Sequence, residues 1–240
     1  MFHLKLLTLD SHLTAEDIKN EIAAHPKRNF TAELNGYNFP AAQVKQLIQE
    51  KCGVCIKKTD GFSRRKIREF VELKKAPVIL LAKDFSQREL IMHLENGAKS
   101  IVSLDDDFDI LQIKELINKG KENTFVLGEK LQRFHIIDFL KSGSCVLLKK
   151  GDLRPAAMTS VLPFGEGRVY IQAGLFSVIR IDHFLRGKAN LVISERTLLS
   201  QNAIEERVKK FTSQILIDAE QYKLDLPWIN KMEQLGAIVI

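Results

Sequence analysis

Pro77-Val78-Ile79-Leu80-Leu81-Ala82-Lys83-Asp84 is the stretch that sets the fold class. A continuous apolar run stopped by charged residues is the pattern of a parallel-sheet strand covered on both faces. Before it lies an amphipathic, very basic segment, Ser63 to Lys75. After it comes a segment that opens at Ser86 and ends at Asn96-Gly97, the polar cap and glycine stop of a helix. The same grammar extends both ways. Leu4 to Leu9, Asn29 to Leu34 and Gly53 to Ile56 read as strands, with helices from Thr14 to a stop at Pro26 and from Ala41 to Glu50. Ser100 to Leu104 is a fifth strand, and a helix opened by an acidic cluster closes at Gly120. Five strand–helix units in succession predict a doubly wound, flavodoxin-like parallel sheet.

Beyond residue 140 the pattern changes. Cys145 to Leu148 and Arg168 to Ile171 read as strands, and Phe176 to Ile181 alternates as a further strand. Ala173-Gly174 between the last two suggests a hairpin. Asn190 to Ile193 and the apolar end Ala237 to Ile240 complete the strand candidates. One long helix from Gln201 to Tyr222 places Ile204, Val208, Phe211 and Ile215 on a stripe. The expected organisation is an α/β domain over residues 1–122, a linker helix over 123–140 and a mixed α+β domain over 141–240. No internal repeat is evident.

The chain of 240 residues is 45% hydrophobic and 28% charged, with 13 glycines and 6 prolines, which excludes disordered and collagen-like classes. No apolar run approaches the roughly 20 residues of a membrane span, and Met1 to Lys5 lacks the layout of a signal peptide. A cytoplasmic protein with no membrane partner is expected, and three cysteines suit reduced thiols. The net charge of +6 divides unevenly: residues 1–140 carry 22 Lys+Arg against 20 Asp+Glu, and residues 141–240 carry 14 against 10. The positive balance is therefore not a global nucleic-acid signature.

Leu7-Thr8-Leu9-Asp10-Ser11-His12, the strand Pro77 to Ala82 with Lys83-Asp84, and the helix end Leu94-Glu95-Asn96-Gly97-Ala98-Lys99 before the strand Ile101 to Leu104 resemble the receiver domain of response regulators. Ile117 to Asn123 and Glu129 to Leu131 are similar to a receiver end and exit linker of the NarL/LuxR group. The resemblance implies a phospho-acceptor site at the strand ends, and the chain departs from it throughout. Asp10 is followed by Ser11, Lys57-Lys58 stand at the acceptor position, Ala82 replaces the hydroxyl residue, and Ser103 or Leu104 the lysine. One carboxylate facing two ammonium groups does not hold a divalent cation. A degenerate, phosphorylation-independent receiver follows, with Asp10 paired to Lys57 or Lys58.

Other motifs are weaker. Cys52-Gly53-Val54-Cys55 has redox spacing but follows a helix and enters a strand, the reverse of a redox motif. Asp105-Asp106-Asp107 with Asp109 reads as caps and dipole partners of the following helix. Gly151 to Gly167, with Pro155 and Pro163, is the longest irregular stretch. The basic cluster Arg64, Arg65, Lys66, Arg68, Lys74 and Lys75 could track phosphates, meet an acidic protein, or form a solvated helix face. Ile193-Ser194-Glu195-Arg196-Thr197 is similar to the turn into a LuxR-type recognition helix, with Arg196 as a nucleic-acid contact, although a β-like run replaces the preceding helix. No catalytic constellation, metal site or cofactor is expected. The functional expectation is a non-catalytic regulatory or assembly protein that binds a protein partner and is a possible homodimer. The alternatives are a DNA-binding transcriptional regulator and an α/β enzyme.

Overall fold

The computed structural model describes residues 6–9, 15–24, 30–34, 40–104, 106–194, 197–218 and 225–239. Two compact units divide it, Met1–Phe125 and Val126–Ile240. In the first, β1 (Leu6–Leu9), β2 (Thr31–Leu34), β3 (Gly53–Ile56), β4 (Val78–Leu81) and β5 (Lys99–Val102) alternate with α1 (Ala15–Ala24), α2 (Ala41–Gln49), α3 (Arg64–Glu72), α4 (Gln87–Glu95) and α5 (Ile110–Gly120). The boundary falls within β6 (Thr124–Leu127). The second unit continues with α6 (Arg133–Lys141), β7 (Cys145–Leu148), α7 (Pro155–Val161), β8 (Val169–Gln172) and α8 (Val178–Arg186). It ends with β9 (Asn190–Ile193), α9 (Gln201–Lys210), β10 (Ile215–Ile217), α10 (Leu226–Gln234) and β11 (Ile238–Val239).

Strand order overturns the receiver resemblance. In a flavodoxin-like sheet the first strand lies between the second and third. Here, among the described residues, β1 pairs with β2 and not with β3, and β2 pairs with β3 through Thr31↔Gly53, Ala32↔Val54 and Glu33↔Cys55. β3–β4 and β4–β5 follow, all parallel and in chain order. Right-handed crossovers repeated in one direction place successive helices on one face, and α1 to α5 pack each on the next. The sheet is thus singly wound.

The α+β expectation for the second half fails for the same reason. β7–β8, β8–β9, β9–β10 and β10–β11 are also parallel and in chain order. Residues 123–140, expected as a linker helix, contain β6 and most of α6. The strand expected over Phe176 to Ile181 is largely the start of α8. Its apparent alternation arises because Val178 and Ile179 face solvent in the first turn, while Ile181, Phe184 and Leu185 are buried at helical spacing. The long helix from Gln201 stops at Lys210, and Ile215 to Ile217 form a fully buried strand. Gly151 to Gly167 contains α7, started by Pro155 in its first turn, where the missing N–H costs nothing.

An internal repeat organises both units. Odd strands begin at Leu6, Gly53, Lys99, Cys145, Asn190 and Ile238, and even strands at Thr31, Val78, Thr124, Val169 and Ile215, steps of 45 to 48 residues. Each repeat holds two strand–helix pairs. Five even-numbered helices end alike: Lys51, Gly97, Gly143, Lys188 and Gly236 all have positive φ. Each then donates its N–H three residues back, while the next residue donates five back, as in Cys52 N to Leu47 O and Ala189 N to Phe184 O. This double bond closes a helix with a left-handed residue. Beneath it, Leu47, His93, Phe139, Phe184 and Met232 occupy one buried position of the repeat. In the sequence the period shows at sparse positions, such as Asp60, Asp106 and Asp152 at 46-residue steps, and it is plainest in backbone geometry and burial.

Candidate functional site

The carboxyl edge of the strands, where the receiver resemblance placed its site, holds structural turns. After β3, β5 and β7 the N–H of Lys57, Ser103 and Lys149 donates to Oδ2 of Asp60 (2.7 Å), Asp106 (2.7 Å) and Asp152 (2.8 Å). The three pairs stand 46 residues apart. Each carboxylate satisfies a backbone donor left over where the strand ends. Burial pushes the Asp152 carboxyl above its usual range, against the pull of the Lys149 N–H and ammonium. Ala82 is buried at the start of a short turn, Ala82–Asp84. Asp10, Ser11 and Arg196 lie outside the described residues, as does the side chain of Lys58, and the expected Asp10–lysine pair with them.

Two further motifs resolve into packing and capping. Asp109 caps α5 through a reciprocal pair with Gln112, and Asp106 closes its turn. Cys52 and Cys55 are buried, and burial pushes the Cys52 thiol up to about 12, far from a reactive thiolate. Asn190–Ile193 is a strand, so the helix that a helix-turn-helix requires before its turn is absent there.

The basic helix is largely neutralised from within. Arg64 pairs with Glu89 (2.8 Å), Arg65 and Lys66 with Glu69 (3.5 and 2.9 Å), and Arg68 with Glu72 (2.8 Å). Hydrogen bonds from Lys66 and Lys45 hold Glu69 down to about 2, and those from the Ser86 hydroxyl and N–H, with Arg64, do the same for Glu89. Two members of the cluster, Lys74 and Lys75, stand apart. They follow α3 and turn to the amino edge of the sheet.

There they join residues that sequence reading missed. A cleft of about 470 Å³ at the amino ends of β2 to β5 is lined by Lys51, Lys74, Lys75 and Lys99, by Asn96, and by Phe30, Thr31, Val71, Ala76, Pro77, Val78 and Gly97. Four lysines line it and no carboxylate does. Lys51, Lys74 and Lys75 follow the carboxyl ends of α2 and α3, whose dipoles favour cations there. Lys51 (φ 65°) and Lys74 (φ 52°) occupy left-handed backbone that glycine would adopt more easily. Gly53 opens the floor: a Cβ there would come within 2.8 Å of the Thr31 hydroxyl and 3.0 Å of the Pro77 ring. Such a cleft can hold an anion between ammonium groups while Phe30, Pro77 and Val78 contact its apolar part. The lysines lie scattered over 49 positions, and only the helix-end geometry brings them together.

No protein-family model matches the chain, and no curated protein matches it. Among solved structures it is similar to a putative phosphonomutase from Burkholderia cenocepacia J2315. The identity is 10%, over 91% of this chain and 100% of that chain, with a TM-score of 0.38. At that score the likeness carries no argument about fold or activity.

Proposed function

We propose that this chain binds a small polyanionic metabolite in the lysine cleft of its first unit, phosphate groups meeting Lys51, Lys74, Lys75 and Lys99. The carrying observation is the set of four lysines, with no carboxylate, around one cleft. The non-catalytic regulatory reading stood on the receiver, and it is withdrawn with the strand order that the receiver required. The DNA-binding reading loses its helix-turn-helix and four of its six helix cations, which are paired. Of the sequence expectations, the α/β enzyme is the one this proposal develops, with the anion as substrate; an all-parallel arrangement of strand–helix units suits it.

Calorimetric titration of the full chain with inorganic pyrophosphate tests binding. Saturable, salt-sensitive binding is expected, weakened roughly tenfold or more by each of Lys51→Gly and Lys74→Gly, the cost of a charge-assisted hydrogen bond. Glycine suits both backbone conformations, so loss of affinity at an unchanged melting temperature separates lost charge from misfolding. Equal affinity in the variants sinks the proposal. A turnover screen with phosphate-bearing metabolites, run on the same proteins, tests the catalytic step separately.

A further inference from the structure

The carboxyl edge of the second unit has a different make-up from the cleft and bears on a different partner. The loops after β6, β7, β8 and β9 lie side by side there. Gly128 N donates to Leu147 O (2.8 Å), Lys150 Nζ to Leu175 O (3.4 Å) and Leu198 N to Gly174 O (3.3 Å). Four neighbouring strand ends span roughly 15 Å.

Large apolar side chains stand out from this edge: Ile179 is 83% exposed, Phe134 and Leu198 61%, and Leu175 52%. Single exposed apolar residues are ordinary, but four on one edge are not. Among them stand three exposed arginines at helix starts, Arg133 in the first turn of α6, Arg154 at the cap of α7 and Arg180 in the first turn of α8. No carboxylate pairs with them among the described residues. α6, α7 and α8 each lack an acid in the first turn. A cation there adds to the positive end of the helix dipole, so these three helix starts carry positive potential. The carboxylates of the described loops are already engaged, Glu129 with Lys149 (3.1 Å) and Asp152 with the Lys149 N–H.

We propose that this edge is a peripheral docking surface for an anionic phospholipid bilayer. Phe134, Leu175, Ile179 and Leu198 enter the interfacial layer, and Arg133, Arg154 and Arg180 meet headgroup phosphates. The combination of protruding apolar side chains with unopposed cations is what interfacial binding uses. Apolar side chains and arginines share one edge, so a single surface can meet acyl chains and headgroup phosphates together. The sequence expectation of no membrane partner rested on spanning segments. No helix among the described residues is long and apolar enough to cross a membrane, and a peripheral contact needs none.

Co-sedimentation of the full chain with vesicles of phosphatidylcholine, with and without phosphatidylserine, tests the proposal. Partition onto the anionic vesicles is expected, weakening with salt. Each of Arg133→Glu, Arg154→Glu and Arg180→Glu should lower it roughly fivefold, and Ile179→Asp about tenfold. These positions are exposed, so unchanged melting curves are expected, and Lys51→Gly, in the cleft, should leave partition unaltered. Absence of partition at low salt, equal partition onto neutral vesicles, or binding of soluble polyglutamate without vesicle binding would each overturn it.

Discussion

The first residue of β3 is Gly53 and the first residue of β9, three repeats later, is Asn190. Each sits at the amino edge of a parallel sheet, beside a lysine in left-handed backbone, Lys51 or Lys188. Each edge forms a cleft, of about 470 Å³ in the first unit and about 690 Å³ in the second. In the first, the missing side chain leaves the floor open under four lysines. In the second, the Asn190 amide donates to Gly167 O (2.6 Å) and accepts from Gln214 N (3.1 Å), tying β8 to β10. That cleft mixes Arg186 and Lys188 with Glu166 and the hydroxyls of Thr212 and Ser213. The repeat therefore supplies the groove, and side chains decide whether it attracts an anion.

The comparison breaks most easily at its lysines. If the clefts differ as argued, Lys51→Gly with Lys74→Gly should abolish pyrophosphate binding in calorimetry, a loss of more than about 3 kcal/mol. Lys188→Gly should leave that binding unchanged.

A smaller effect is expected at His93, buried where the other repeats have Leu47, Phe139, Phe184 and Met232, its ring nitrogens without a hydrogen-bond partner among the described residues. Burial lowers its pKa, beyond what Glu89 restores and with Arg64 adding to the shift, so the folded chain holds it neutral. The unfolded chain takes up the proton more readily. Stability from this group is present in full above the ordinary value of 6.5 and is lost as pH falls through the lowered folded value. His93→Leu should raise stability by about 1–2 kcal/mol and flatten that acid limb, read by denaturant melts across pH.

The turn carboxylates come next. Asp60 is 2% exposed and Asp106 only half-buried. Asp60→Ala should cost about 2 kcal/mol and Asp106→Ala about 1, since water can replace the bond in the second case. Smallest of all, Arg68→Ala breaks an exposed pair on α3 and should change stability by less than about 0.5 kcal/mol in the same melts.

Local elements were well marked in the sequence. Gly53 to Ile56, the Ser86 cap and the helix end at Gly120 lie where the sequence places them, although the left-handed residue after that helix is Lys121 and not the glycine. These are short-range effects: an apolar run marks the strand, and a hydroxyl that accepts a neighbouring backbone N–H marks the helix start. The site was legible only in part: Lys74 and Lys75 were singled out, but with four cations that turn out to be paired, and without Lys51 and Lys99.

What the sequence determined by itself is thus the alternation of strand and helix in the first unit and most of its helix ends, because caps, turns and apolar periodicity act over a few residues; in the second unit the same local signals were read as mixed α+β, and the alternation there was settled by the structure. The tertiary structure alone decided strand order, since a right-handed crossover can lead to the adjacent strand or past it with the same local pattern. That one choice separates a doubly wound receiver from a singly wound repeat. It also brings the lysines at successive helix ends together around one cleft, because each added strand–helix pair sets its helix end beside the previous one.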